Sequence, residues 1–256
     1  MNSAVTPVAW SFAEALERLQ GDDLSERYYA AWYLGTLGDP AALPALLVAL
    51  EDEADRTALG GYPLRRNAAK ALGAIGDPAA VPGLVNALEC TDYYVREEAA
   101  YALAQIGDGA AIPGIVALFR DPEAHQPWEA LIRALGVLQA RQYGELIRPF
   151  LDHASERVQA AAASVLYRFT GDPGYGERLL QGLTHENVSV RRAVLADVGE
   201  TGYVAAAPAI VATDAAVSLK LNALKRLFDV AIQDKSAAAD ILRVAEALIP
   251  WIEALL

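Results

Sequence analysis

Leu64 to Cys90 reads LRRNAAKALGAIGDPAAVPGLVNALEC, and this stretch decides the fold. Its apolar residues recur at helical spacing, i, i+3, i+4 and i+7. Gly76-Asp77-Pro78 then stops one helix and starts the next. Glycine suits the left-handed position after a helix, and aspartate can cap the helix that follows. The same pattern stands without gaps in ERYYAAWYLGTLGDPAALPALLVALED from Glu26 and in VREEAAYALAQIGDGAAIPGIVALFRD from Val95. In each copy an arginine (Arg27, Arg65, Arg96) precedes a turn aspartate (Asp39, Asp77, Asp108) by 12 residues, and a proline follows that aspartate by 5.

Weaker copies continue to the C-terminal end. Repeats start near residues 26, 64, 95, 127, 158, 190 and 219, a period of about 31 after a first interval of 38. A single helix pair cannot bury its apolar face, so the pairs must stack. The period and the Val-Arg-x-x-Ala-Ala-x-Ala-Leu helix resemble HEAT repeats of the short, PBS-lyase type. The expected fold is all-α: one right-handed superhelical solenoid domain over residues 1–256, about seven helix pairs long. Val8 to Gln20 and Ser236 to Leu256 are expected to cap it.

Composition narrows the functional classes. The 256-residue chain is 54% hydrophobic and carries a net charge of -12, with 33 acidic against 21 basic residues. A nucleic-acid binder usually needs a basic face, because counterion release from phosphates supplies much of its affinity; no nucleic-acid partner is expected. A single cysteine, Cys90, excludes an intrachain disulfide and a cysteine-rich zinc site. His125, His153 and His185 fall one per repeat, too far apart for shared ligation, so no metal is expected. The N-terminus lacks a signal-peptide pattern and no stretch is apolar enough for a membrane span. A cytoplasmic protein with no membrane partner is the expectation.

No enzyme constellation of the common kinds is present, so no catalytic residue is assigned. Attention falls on positions that break the repeat. The long first interval places an insertion at residues 51–63, with Asp55, Arg56, Gly60, Gly61 and Tyr62 in it. A second irregularity, LECTDYYV, sets Cys90, Asp92, Tyr93 and Tyr94 in an inter-repeat turn. Trp32 lies one helical turn after Tyr28 (i, i+4) and Tyr29 (i, i+3). Their counterparts in the next two repeats are Arg66, Asn67 and Lys70, then Glu97, Glu98 and Tyr101, so packing does not demand an aromatic there. They are either an end-of-stack core cluster or a wall for a planar ligand. Arg65 and Arg96, like Arg27, are either a structural ladder or ligand contacts. Arg56 and Arg66 have no basic repeat equivalents and suit bidentate carboxylate contacts. Trp128 and Glu129 follow a helix-start proline, Pro127, and the tryptophan is either packed or part of the site. Cys90 reads as a small buried hydrophobe.

These residues resemble a known family. YYAAWYLG (Tyr28–Gly35), ALEDEADRTALGGYPLRRNAAKALG (Ala49–Gly73) and LECTDYYVREEAAYALA (Leu88–Ala104) are similar to the E subunit of E/F-type phycobilin lyases, and the likeness spans nearly the whole chain. Tyr33 stands where that family usually has a second tryptophan. The resemblance implies a heterodimer with an F-type subunit that attaches phycocyanobilin, as bound substrate rather than cofactor, to a cysteine of the phycocyanin α subunit. The alternatives are a lyase subunit for another bilin or phycobiliprotein, a phycobilisome-degradation factor, or a non-enzymatic HEAT-repeat scaffold; the insertion and the LECTDYYVRE segment favour the lyase over the last two. The expected bilin surface takes in Tyr28, Tyr29, Trp32, Asp55, Arg56, Tyr62, Arg65, Arg66, Asp92, Tyr93, Tyr94, Arg96, Trp128 and Glu129.

Overall fold

A computed structural model describes residues 10–121, 125–233 and 237–256. Val8, Ala9 and Ser236, at the outer edges of the two expected caps, lie outside the described residues. Helices and short 3-10 turns make up the structure, with no β-strand among the described residues. The chain divides into two compact units, Met1–Leu138 and Gln139–Leu256.

The first unit holds α1 (Phe12–Leu19), α2 (Leu24–Leu37), α3 (Leu43–Leu50), α4 (Pro63–Ile75), α5 (Val81–Ala87), α6 (Tyr93–Ile106), α7 (Ile112–Ala117) and α8 (Trp128–Val137). The longer helices α2, α4 and α6 end alike, at Gly38, Gly76 and Gly107 with φ of 68°, 75° and 74°. A side chain is disfavoured at such φ, which is why glycine recurs there. The next residue, Asp39, Asp77 or Asp108, accepts the backbone N–H two positions on at 2.9 Å and starts the following 3-10 turn. The fourth repeat has no glycine at this point. Gln139 takes the left-handed conformation instead, with φ of 54°.

Small residues let α2, α4 and α6 lie side by side. A Cβ on Gly35 would sit 2.7 Å from Ala71 Cα, and one on Gly73 would sit 2.7 Å from Ala102 Cα. Leu34, Leu64, Leu72 and Leu103 are fully buried behind this contact. Truncating one such leucine to alanine typically costs about 2–5 kcal/mol.

The second unit holds α9 (Gly144–Ile147), α10 (Glu156–Thr170), α11 (Pro173–Gln181), α12 (Val188–Gly199), α13 (Ala207–Ala212), α14 (Val217–Ile232) and α15 (Ala238–Glu253). Its core repeats the scheme, with Ala161, Leu166, Val194, Ile210 and Leu224 buried.

In several repeats the residue at the recurrent arginine position ties an inter-repeat turn to the helix that carries it. In the first unit, Arg27 donates to Asp52 and to the Leu19 carbonyl, while Arg96 donates to the carbonyls of Cys90, Thr91 and His125. In the second, Arg191 binds the His185, Glu186 and Asp214 carbonyls, and Gln159 and Lys220 make the same kind of tie to His153 and Val211. Trp128 occupies this position in the fourth repeat. Arg27 and Arg96 thus make ladder-type ties, whereas Arg65 pairs with Glu53.

Candidate functional site

In the first unit, α2, α4 and α6 expose corresponding faces. On α2, Tyr29 and Trp32 are 58% and 52% exposed, and Tyr94 at the start of α6 is 54% exposed. Single exposed rings are ordinary, but Tyr29 and Trp32, neighbours one helical turn apart, make a candidate contact surface. Tyr29 and Trp32 are therefore not a core cluster. Tyr28 meets Tyr29 edge-on at 5.3 Å between ring centroids, and Tyr93 meets Tyr94 likewise at 5.5 Å. Tyr93 also lies 5.0 Å from the His125 ring.

The insertion is an ordered loop. Asp52 caps it by accepting the N–H groups of Ala54 and Asp55, and the loop closes through Thr57 N–H to the Gly61 carbonyl at 2.8 Å. Asp55 is buried and accepts the Leu64 N–H at the start of α4. Tyr62 is buried, its hydroxyl donating to Glu53 at 2.7 Å. Arg65 lies over the Tyr62 ring at 4.8 Å and pairs with Glu53 at 2.8 Å. Gly61 sits close to Arg66: a Cβ there would lie 3.1 Å from the guanidinium, which would have to shift by a few tenths of an ångström.

Asp92 joins the insertion to the aromatic turn. It is buried, accepts the Tyr62 N–H at 2.8 Å and the Tyr94 N–H at 2.9 Å, and pairs with Arg66 at 2.8 Å. Burial pushes its carboxyl up. The backbone bond from Tyr62, the Arg66 bond and the Tyr94 bond outweigh that and hold it below the usual carboxylate range. Arg66 in turn stacks on Tyr94 at 4.4 Å. Arg56 differs from both neighbours. It is exposed, lies 5.9 Å from the Tyr62 ring and makes no ion pair among the described residues.

The structure thus brings together Tyr28, Tyr29 and Trp32 on α2, and Asp55, Arg56, Tyr62, Arg65, Arg66, Asp92 and Tyr94 around the insertion. Trp128 is not one of the exposed rings. It is 4% exposed and packs on Phe119 at 5.1 Å, and Glu129 beside it pairs with Arg133 at 3.0 Å. Two charged residues of the same face escape a reading that looks for aromatics: Lys70 and Glu98. Their signal was present, since Lys70 is the repeat counterpart of Trp32 and Glu98 that of Tyr29. A cavity of about 490 Å³ also opens in the second unit between α10, α11 and α12, where His185 Nε2 lies 2.8 Å from Glu156.

The model of HEAT repeats matches residues 62–136, and that of the PBS lyase HEAT-like repeat matches residues 26–52. The phycocyanobilin lyase subunit alpha of a Synechocystis strain is 48% identical over 86% of this chain and 86% of its own length. That of a Nostoc strain is 46% identical over 89% and 87%. The chain belongs to the phycocyanobilin lyase alpha-subunit family. Among solved structures, the complex of CpcE and CpcF of phycocyanin lyase from Nostoc contains a chain that matches this one with a TM-score of 0.85 and 44% identity, covering 100% of this chain and 98% of that one. The HEAT-type, all-helical expectation therefore holds for this family member. No helix of the described residues is long and apolar enough to cross a membrane.

Proposed function

We propose that this chain is the alpha subunit of a heterodimeric bilin lyase, which works with an F-type partner to attach phycocyanobilin to a cysteine of the phycocyanin α subunit. The observation that carries the reading is the set of exposed rings Tyr29, Trp32 and Tyr94 on successive repeats of the first unit, together with an exposed Arg56 in the insertion that makes no ion pair among the described residues, in a chain of this family. A linear tetrapyrrole is a flat conjugated ligand with two propionates. Aromatic rings stack on its plane, and guanidinium or ammonium groups pair with its carboxylates.

The chemistry asks little of the protein beyond positioning. The acceptor thiol of the substrate protein adds across the bilin's ethylidene double bond. A carbon–sulfur bond forms, the thiol proton ends on carbon, and nothing leaves. Holding the tetrapyrrole in one conformation, and keeping water and competing nucleophiles from its reactive edge, converts a slow addition with mixed products into a directed one. Bilin is substrate in this scheme, and no separate cofactor is needed. Cys90 is buried and takes no part, because the accepting sulfur belongs to the other protein.

The test is co-expression of this chain with an F-type subunit, a phycocyanobilin-producing pathway and phycocyanin α, read as covalent fluorescence on the denatured acceptor. Fluorescent adduct that requires both lyase chains supports the reading. Bilin binding without adduct would point to a bilin carrier or degradation factor, and no bilin binding at all to a protein scaffold.

A further inference from the structure

Repeat alignment sets Trp32, Lys70, Tyr101 and Arg133 at one position of four successive repeats, and Tyr29, Asn67 and Glu98 one turn earlier. The lower row alternates aromatic and cation across α2, α4, α6 and α8. Trp32, Asn67 and Lys70 line one cavity of about 110 Å³ between α2 and α4. On α6, Glu98 stands between Tyr94 and Tyr101, four residues after one and three before the other, so all three share a face.

Glu98 is half-buried and makes no hydrogen bond among the described residues. Burial pushes its carboxyl above the usual range, against the opposing pull of Lys70 and Arg66. Of those two cations, Arg66 is already held by Asp92 through three short contacts. Lys70 is exposed and has no ion-pair partner among the described residues. A carboxylate partly withdrawn from water without a donor is costly, and a ligand carrying N–H groups would repay that cost. A cation on the neighbouring helix, roughly 8–10 Å away by ordinary helix spacing, meets a carboxylate on the same ligand. The ligand class is a planar conjugated molecule with an N–H edge and acidic side arms.

We propose that Glu98 accepts the pyrrole N–H groups of the bound bilin and that Lys70 holds one of its propionates. This assignment rests on the bilin-binding reading above. Both are positioning residues: neither bonds to the reacting carbon. Glu98 also sets the electronic state of the chromophore, because an adjacent carboxylate favours the protonated, cationic tetrapyrrole over the neutral one.

The test titrates the purified complex of this chain and its F-type partner with phycocyanobilin, and separately with phycocyanobilin dimethyl ester, reading affinity and absorption spectrum. Circular dichroism serves as the folding control. Glu98→Gln should weaken binding of both ligands about tenfold or more and shift the bound bilin's long-wavelength band to the blue. Lys70→Gln should weaken phycocyanobilin by a similar factor yet leave ester binding unchanged. A Glu98→Gln complex with wild-type affinity and spectrum overturns the Glu98 assignment, and a Lys70→Gln complex that loses acid and ester equally overturns the Lys70 one. A wild-type complex that binds no bilin overturns the underlying reading, and both assignments with it.

Discussion

Arg66 on α4 grips Asp92 at the start of α6, with its Nε and one terminal nitrogen 3.0 and 2.8 Å from the same carboxylate oxygen. Asp92 simultaneously caps α6 and holds the backbone of Tyr62, so one buried carboxylate fastens the insertion, α4 and the aromatic turn together. Arg66 also lies over the ring of Tyr94, so it links that exposed ring to the buried carboxylate.

Arg66→Ala should destabilise the protein by about 1–3 kcal/mol, because it leaves a buried carboxylate short of its charged donor. Urea unfolding of the wild type and the variant measures this. Arg66→Lys should recover part of the loss, since an ammonium restores charge without the fork.

That loss should depend on pH. Asp92 is held below the usual carboxylate range in the folded state. Its stabilising contribution is then fully present above the unfolded carboxylate value, about 4, and is lost as pH falls through the lowered folded value. The stability gap between wild type and Asp92→Asn should accordingly narrow on acidification below about pH 4. A gap that stays constant over that window would remove Asp92 as the titrating group.

Two tryptophans should separate function from folding. Trp32→Ala should leave thermal stability nearly unchanged, because half of the ring is already in solvent, while weakening bilin binding. Trp128→Ala should cost about 3–5 kcal/mol by emptying a core position against Phe119. Thermal melts and bilin titration of both variants check the pair.

Cys90→Ser should keep covalent transfer largely intact in the co-expression assay. Loss of transfer in a variant shown to be folded would mean that bilin passes through a thioether on the lyase itself.

Gln139→Gly should stabilise the protein by up to about 1 kcal/mol. A non-glycine residue at φ of 54° pays a steric penalty that glycine avoids, partly offset by glycine's greater unfolded freedom. A shift of the urea midpoint to higher concentration is the expected result.

The helical repeat was legible in the chain because its determinants are local. Gly76 after α4 and Asp77 before the next turn act over two or three residues, and a 3.6-residue apolar period needs no knowledge of what it packs against. The irregular segments at residues 51–63 and 88–95 were likewise visible as departures from that period. Whether a ring or a cation faces solvent could not be read this way. Trp32 and Trp128 both open or lie within repeat helices, yet one is exposed and the other is sealed against Phe119. In the sequence Arg65 stands at the recurrent arginine position, while Arg56 and Arg66 read alike as candidates for a ligand carboxylate. Glu53 and Asp92, the latter 26 residues from Arg66, take up two of them and leave Arg56 unpaired. Exposure and ion pairing belong to contacts between repeats, so only the tertiary structure could sort the residues that build the face from those that present it.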